Sequence, residues 1–214
     1  MTTAEPKTPA TEDAPVDLKQ AVLDGLGGPV GMLCTTLPVV VFVTATAFLP
    51  LTASIGTALA VALALTGFRV LRGEKLTSAL GGVLAIAVAG GVAAWTGSAK
   101  DFFLIGIWAS LAGAVVVLAT MLAGRPLTGV LWNALHGGGH PWRQNRSALR
   151  AHHLASLAVL LMFAGRFAVK EWLYLADSTG WLAFAKIAMG TPLTALVAVV
   201  VLWSFRHTTK ALQA

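Results

Sequence analysis

Charge is scarce in this sequence. Charged residues make up 11% of its 214 residues, against about a quarter in a soluble domain. So few cannot clothe a water-exposed surface, which excludes an ordinary soluble globule. Cysteine is scarcer still. Cys34 stands alone, so no intramolecular disulfide can form, and within its apolar run it reads as an inert small hydrophobe. Acidic residues number nine against 15 Lys and Arg, a formal charge of +6. That balance would suit a nucleic-acid binder, but no nucleic-acid motif accompanies it. The cations cluster at the edges of apolar runs, which points to topology and lipid contact instead. Residues 1–19 lack the short apolar core of a targeting signal; with Pro6, Pro9, Pro15 and mixed charge they read as a disordered tail. Walker, nucleophile-elbow, dinucleotide and H-E-x-x-H patterns are missing too, so nothing argues for catalysis or a cofactor.

What is abundant is hydrophobicity, 57% of the chain. A helical span takes about 20 mostly apolar residues. Six runs qualify: 32–49, 51–68, 76–95, 102–122, 154–175 and 181–203. They predict an all-α polytopic membrane helix bundle of six spans. Its membrane domain covers 28–206, with tails at 1–27 and 207–214. Pro50 alone separates the first two runs; it lacks an N–H and disfavours helix at Leu49, which predicts a tight hairpin. Ahead of the breakers Gly27, Gly28 and Pro29, Leu18, Val22 and Leu26 share one face of a short amphipathic helix over 16–26.

Charge then sets direction. Lys7, Lys19, Arg69, Arg72, Lys75, Arg125, Arg143, Arg146, Arg150, Arg206 and Lys210 fall on one side of a six-span topology, and Lys100 alone on the other. The positive-inside rule places both termini in the cytoplasm. Trp95, Trp172 and Trp181 lie near outer span ends and Trp203 near an inner end, where amphipathic rings favour the interface. Gly81, Ala85 and Ala89, spaced four apart, and likewise Ala87 and Gly91, predict close helix packing along the third span. Three spans per half, oppositely directed, match the order of an inverted 3+3 repeat. Thr66-Gly67-Phe68-Arg69 faintly echoes Ala164-Gly165-Arg166-Phe167 in the corresponding span.

The candidate site is intramembrane. Arg166 lies half-way along the fifth run, Lys170 one turn further on the same face, with Glu171 beside it and Lys186 early in the sixth run. Charge in hydrocarbon is costly, so such groups face the bundle interior, pair, or line water. One reading is a cationic site for an anion or anionic headgroup. The other lets Lys170 and Lys186 snorkel outward while Glu171 pairs with Arg166 or Lys186. Pro192, in Gly190-Thr191-Pro192, is expected to kink the sixth span, as Pro38 is the first.

The cytoplasmic loop, 123–153, offers an apolar face of Leu127, Val130, Leu131 and Leu135 with Trp132 beside it. Arg125, Arg143, Arg146 and Arg150 would contact anionic lipid at about 1 kcal/mol each. His136, His140, His152 and His153 supply imidazoles, but the intervening glycines preorganise nothing, and no metal is assigned.

A set of short motifs runs in order through the chain: Leu26-Gly27-Gly28-Pro29, Leu37-Pro38, Gly81-Gly82, Gly124-Arg125-Pro126-Leu127, Trp142-Arg143, Arg166 and Gly190-Thr191-Pro192-Leu193. The order resembles a bacterial integral-membrane family, common in actinobacteria, known as domain of unknown function 3159. The resemblance covers about 26–206. It implies a multi-span plasma-membrane protein and brings no catalytic residues. Ala185-Lys186 before Gly190-Thr191-Pro192 is also similar to the end of the intracellular septation protein A family, which would imply envelope or division-site organisation. Two functions follow. A transporter or binder of a small anionic solute or lipid headgroup needs Arg166 hydrated. A scaffold or accessory subunit, contacting anionic lipid, a membrane-protein partner or a second copy, needs Arg166 dry and paired.

Overall fold

The computed structural model of the chain describes residues 28–74, 76–138 and 142–213, and among them the only regular structure is helical. Helix α1 spans Gly28–Thr46, α2 Leu51–Leu71 and α3 Leu76–Thr96. A 3-10 segment, Ala99–Phe103, leads into α4, Leu104–Leu122. Then come α5 (Leu127–Leu135), α6 (Arg146–Leu175), α7 (Thr179–Ala188) and α8 (Thr191–Gln213). The expected helix over 16–26 lies outside the described residues.

Five segments are long and apolar enough to cross a bilayer: Leu51–Leu71, Ala79–Thr96, Ala99–Leu122, Arg146–Leu175 and Thr179–Ala211. A shorter apolar helix, Leu33–Thr46, precedes them. With α1 supplying the sixth apolar helix, the chain is a polytopic helical membrane bundle. The chain turns tightly through Ala47–Pro50, so α1 and α2 form the hairpin that Pro50 predicts. Each half pairs its helices in the same way: α2 packs against both α1 and α3, and α6 against both α4 and α8. The last span departs from this order. It is two helices, α7 and α8, divided at Met189-Gly190, and the continuous α3 has no such break.

Alternating spans define two ends. One holds the 72–75 and 123–145 connections and the end of α8, with Arg69, Arg72, Arg125, Arg143, Arg146, Arg150, Arg206 and Lys210. The opposite end holds Lys100, which pairs with Asp177. Trp95, Trp172 and Trp181 stand exposed at this opposite end, the depth at which indole rings are favoured.

Small residues bring the helices together. The buried face of α2 is Ser54, Ala58, Ala62 and Thr66, one per turn. On α3 only Ala89 of the predicted row Gly81, Ala85, Ala89 lies in the core. Gly81, Ala85, Ala87 and Gly91 are exposed, and Ala79, Ile86, Gly90 and Ala93 turn inward with Ala89. A Cβ on Gly90 would come within 2.7 Å of Ile55 Cγ2. Rows four apart exist on every face of an Ala/Gly-rich helix, and only the neighbour selects one.

The larger core lies toward the opposite end, where Val39, Phe42, Ala58, Ile86, Phe102, Ile107 and Leu182 meet. The 3-10 segment anchors there: Phe102 stacks on Phe42 with centroids 4.2 Å apart, and Tyr174 Oη donates to Asp101 Oδ1 at 2.6 Å. A second cluster closes the basic end around His152, which is fully buried. His152 Nε2 lies 2.9 Å from Thr208 Oγ1, and its ring meets Trp142 edge-on at 5.4 Å and Phe205 at 6.0 Å.

Helix α5 lies on α6 through Thr128, Gly129 and Trp132. Thr128 Oγ1 donates to the His152 carbonyl at 2.9 Å. The predicted apolar face is turned outward, with Val130, Leu131 and Leu135 exposed, because hydroxyl and indole contacts make the inner face. Trp142 seats directly on Gly129, where any Cβ would overlap its ring. Gly129→Val is therefore expected to unseat Trp142 and lower stability by about 1–3 kcal/mol, the usual cost of overpacking. Reversible unfolding in detergent micelles measures it, and unchanged stability would refute the contact.

Candidate functional site

Helix α6 crosses the bundle as one 30-residue helix, so Arg166, Lys170 and Glu171 are carried on a rigid rod. Asn145 caps its start, accepting from Ser147 N at 3.0 Å and Ala148 N at 3.2 Å. Near the middle of the neighbouring span the chain breaks. Pro192 does not kink a continuous helix there, as expected from the sequence; it lies in the first turn of a new one, α8. A missing N–H costs nothing in that turn, because the first N–H groups of a helix have no intrahelical acceptor. Gly190 fits the break because a Cβ there would come 2.6 Å from the Lys186 carbonyl oxygen. Helix α1, by contrast, runs unbroken through the buried Pro38.

Arg166 closes the break. Its Nε donates to the Met189 carbonyl at 2.6 Å, and its Nη2 donates to the Gly190 carbonyl at 2.6 Å and to Thr194 Oγ1 at 2.7 Å. The guanidinium thus satisfies the carbonyl end of α7, where the helix dipole is negative. Thr194 Oγ1 in turn donates to the Gly190 carbonyl at 2.8 Å. Arg166 is half-buried and donates through Nε and Nη2 to neutral partners only, so its positive charge stays uncompensated.

Arg166, Lys170 and Lys186 come together on one cavity of about 230 Å³. Thr35, Thr36 and Val39 of α1 form another wall, and Ile187, Gly190 and Thr191 complete it. The N-terminus of α8 therefore borders the cavity, with its partial positive charge. No carboxylate lines it. Glu171 does not pair with Arg166 or Lys186: the ion pairs among the described residues are Arg69–Glu74 and Lys100–Asp177. The reason is angular. Glu171 follows Lys170 by one residue and so points about 100° away around the helix.

Lys186 does not snorkel alone toward the end of the span. Its Nζ stands 5.2 Å from the centroid of Phe102 and 5.6 Å from that of Phe103. Two aromatic faces attract a desolvated ammonium. The dipping 3-10 segment supplies them, a neighbour 83 or more residues earlier in the chain that hydropathy alone could not reveal.

The loop residues are placed separately. Arg125, Arg143, Arg146 and Arg150 are exposed at the basic end. His136 stacks on Trp132 with centroids 4.5 Å apart, and His152 serves the buried cluster. No three of His, Cys, Asp or Glu come together as metal ligands among the described residues, and His140 lies outside them.

The fold and the charged cavity define a class: a multi-span helical membrane protein with cations inside its bundle. Within that class the chain belongs to the family described as a protein of unknown function (DUF3159), matched over residues 26–212. No curated protein and no solved structure matches the chain.

Proposed function

We propose that this protein binds a small anion, or the anionic headgroup of a larger molecule, in the cavity of Arg166, Lys170 and Lys186, and that it does so to move or sense it across the plasma membrane. The observation that carries the reading is three uncompensated cations around one small cavity, with a helix N-terminus on its wall and no carboxylate. Three like charges in a low-dielectric bundle repel one another. An anion there removes that repulsion. The hydroxyls of Thr35, Thr36 and Thr191 can complete its hydrogen bonds. In this reading the basic end faces the cytoplasm, and the cavity sits in the membrane half toward the outside.

The test is thermal unfolding of the purified protein with phosphate, sulfate or chloride. At 100 times its Kd a bound anion should stabilise the wild type by about 2.7 kcal/mol. In K170Q/K186Q that gain should vanish, while the Arg166 bonds remain. If wild type and double variant respond alike to all three anions, the reading is overturned.

A further inference from the structure

Lys170 and Lys186 face two ways. Besides the anion cavity they line a larger cleft of about 420 Å³ between α3 and α4. These helices are consecutive in the chain, yet α3 packs on α2 and the 3-10 segment while α4 packs on α6. The gap between them is walled by Gly81, Leu84 and Val88 of α3 and by Ile105 and Gly106 of α4. Leu84, Val88 and Ile105 are exposed by 66%, 50% and 43%, so the cleft opens sideways, toward lipid. Every other lining residue is apolar; the two lysines are its only charged groups. Its volume falls within the about 300–1,000 Å³ typical of ligand pockets.

We infer that this cleft takes a bilayer lipid with an anionic headgroup, which enters laterally between α3 and α4, lays an acyl chain on the apolar wall and presents its phosphate to Lys170 and Lys186. The inference rests on the anion-binding reading above and names the ligand's class. The match is one of form and charge. A cleft left open in a bilayer is filled by hydrocarbon, and one that ends on two cations without a carboxylate prefers the chain whose head is an anion. The exposed glycine and alanine row of α3, Gly81 and Ala85, makes room for that chain instead of for another helix.

The experiment is competitive lipid binding to the purified protein, with phosphatidylglycerol and phosphatidylcholine of identical chains at equal concentration, and bound lipid counted by native mass spectrometry. Phosphatidylglycerol should prevail, and its preference should fall about fivefold for each lysine replaced in K170Q and K186Q. L84W and, independently, I105W fill the cleft from exposed positions that the fold does not need. Both should lose bound phosphatidylglycerol while keeping the thermal response to inorganic phosphate. Equal binding of the two lipids, or a preference unchanged in L84W and I105W, overturns the inference. If phosphate still stabilises the protein in that case, the anion cavity stands without the lipid. If neither phosphate nor phosphatidylglycerol discriminates wild type from K170Q/K186Q, both readings fall.

Discussion

Arg166→Met should destabilise the protein by about 2–4 kcal/mol. Three hydrogen bonds to an ionised donor are worth about 1.5–3 kcal/mol each, and their loss would strand the Met189 carbonyl at the break, while the Gly190 carbonyl keeps the donors of Thr194 N and Oγ1. Opposing this, methionine removes the cost of keeping a half-buried guanidinium away from water. Bond loss wins because the stranded Met189 carbonyl lies within the membrane span, where an unsatisfied backbone group is costly. Arg166→Lys keeps the charge but lacks the fork that reaches Met189, Gly190 and Thr194 together, so it should recover only part of the loss. Denaturant titration in micelles reads the difference. A methionine variant as stable as wild type would show that Arg166 does not hold α7 to α8. The same variant separates structure from binding: a destabilised R166M alongside a stably folded but anion-insensitive K170Q/K186Q assigns the latch to the arginine and the ligand to the lysines.

Phe102→Ala should cost more, about 3–5 kcal/mol, as for any large aromatic truncated in a packed core. Phe102 is 2% exposed and stacks on Phe42, so its loss releases the 3-10 segment from α1. It also removes one of the two rings facing Lys186. Phe102→Leu fills most of the volume and should cost less, while still lacking the ring. If Phe102→Leu keeps the fold but weakens phosphate stabilisation, the ring positions the lysine. If stability alone changes, in proportion to lost volume, its role ends with packing. Thermal unfolding with and without phosphate measures both.

Much of the architecture is legible from composition. Hydropathy finds the helices because the bilayer demands about 20 apolar residues with every backbone group satisfied inside the segment. Pro50 marks the α1–α2 turn for an equally local reason. The candidate site is legible in part. Arg166, Lys170 and Lys186 stand out because charge in an apolar run is rare and costly, and the i, i+4 relation of Arg166 and Lys170 is fixed by helix geometry. Glu171 is the instructive failure. One residue's offset turns it away from the cations to which adjacency in the chain had assigned it. Pro192 is another, since a proline in mid-run is compatible with a kink or with the start of a second helix, and the choice depends on whether some group caps the carbonyls left behind.

By itself the sequence determined the bundle, its spans, the crowding of cations at one end and the three cations that a membrane would not tolerate without purpose. These follow from local interactions between each segment and its solvent, which need no knowledge of neighbours. The tertiary structure alone decided that Arg166 is spent on the broken end of α7, that Lys170 and Lys186 share two cavities, that Phe102 and Phe103 dip beneath Lys186, and that the small-residue row of α3 faces a cleft. Each depends on which faces of separate helices meet. That choice is made by packing between segments distant in the chain, where hydropathy, equal on every side of an apolar helix, carries no information.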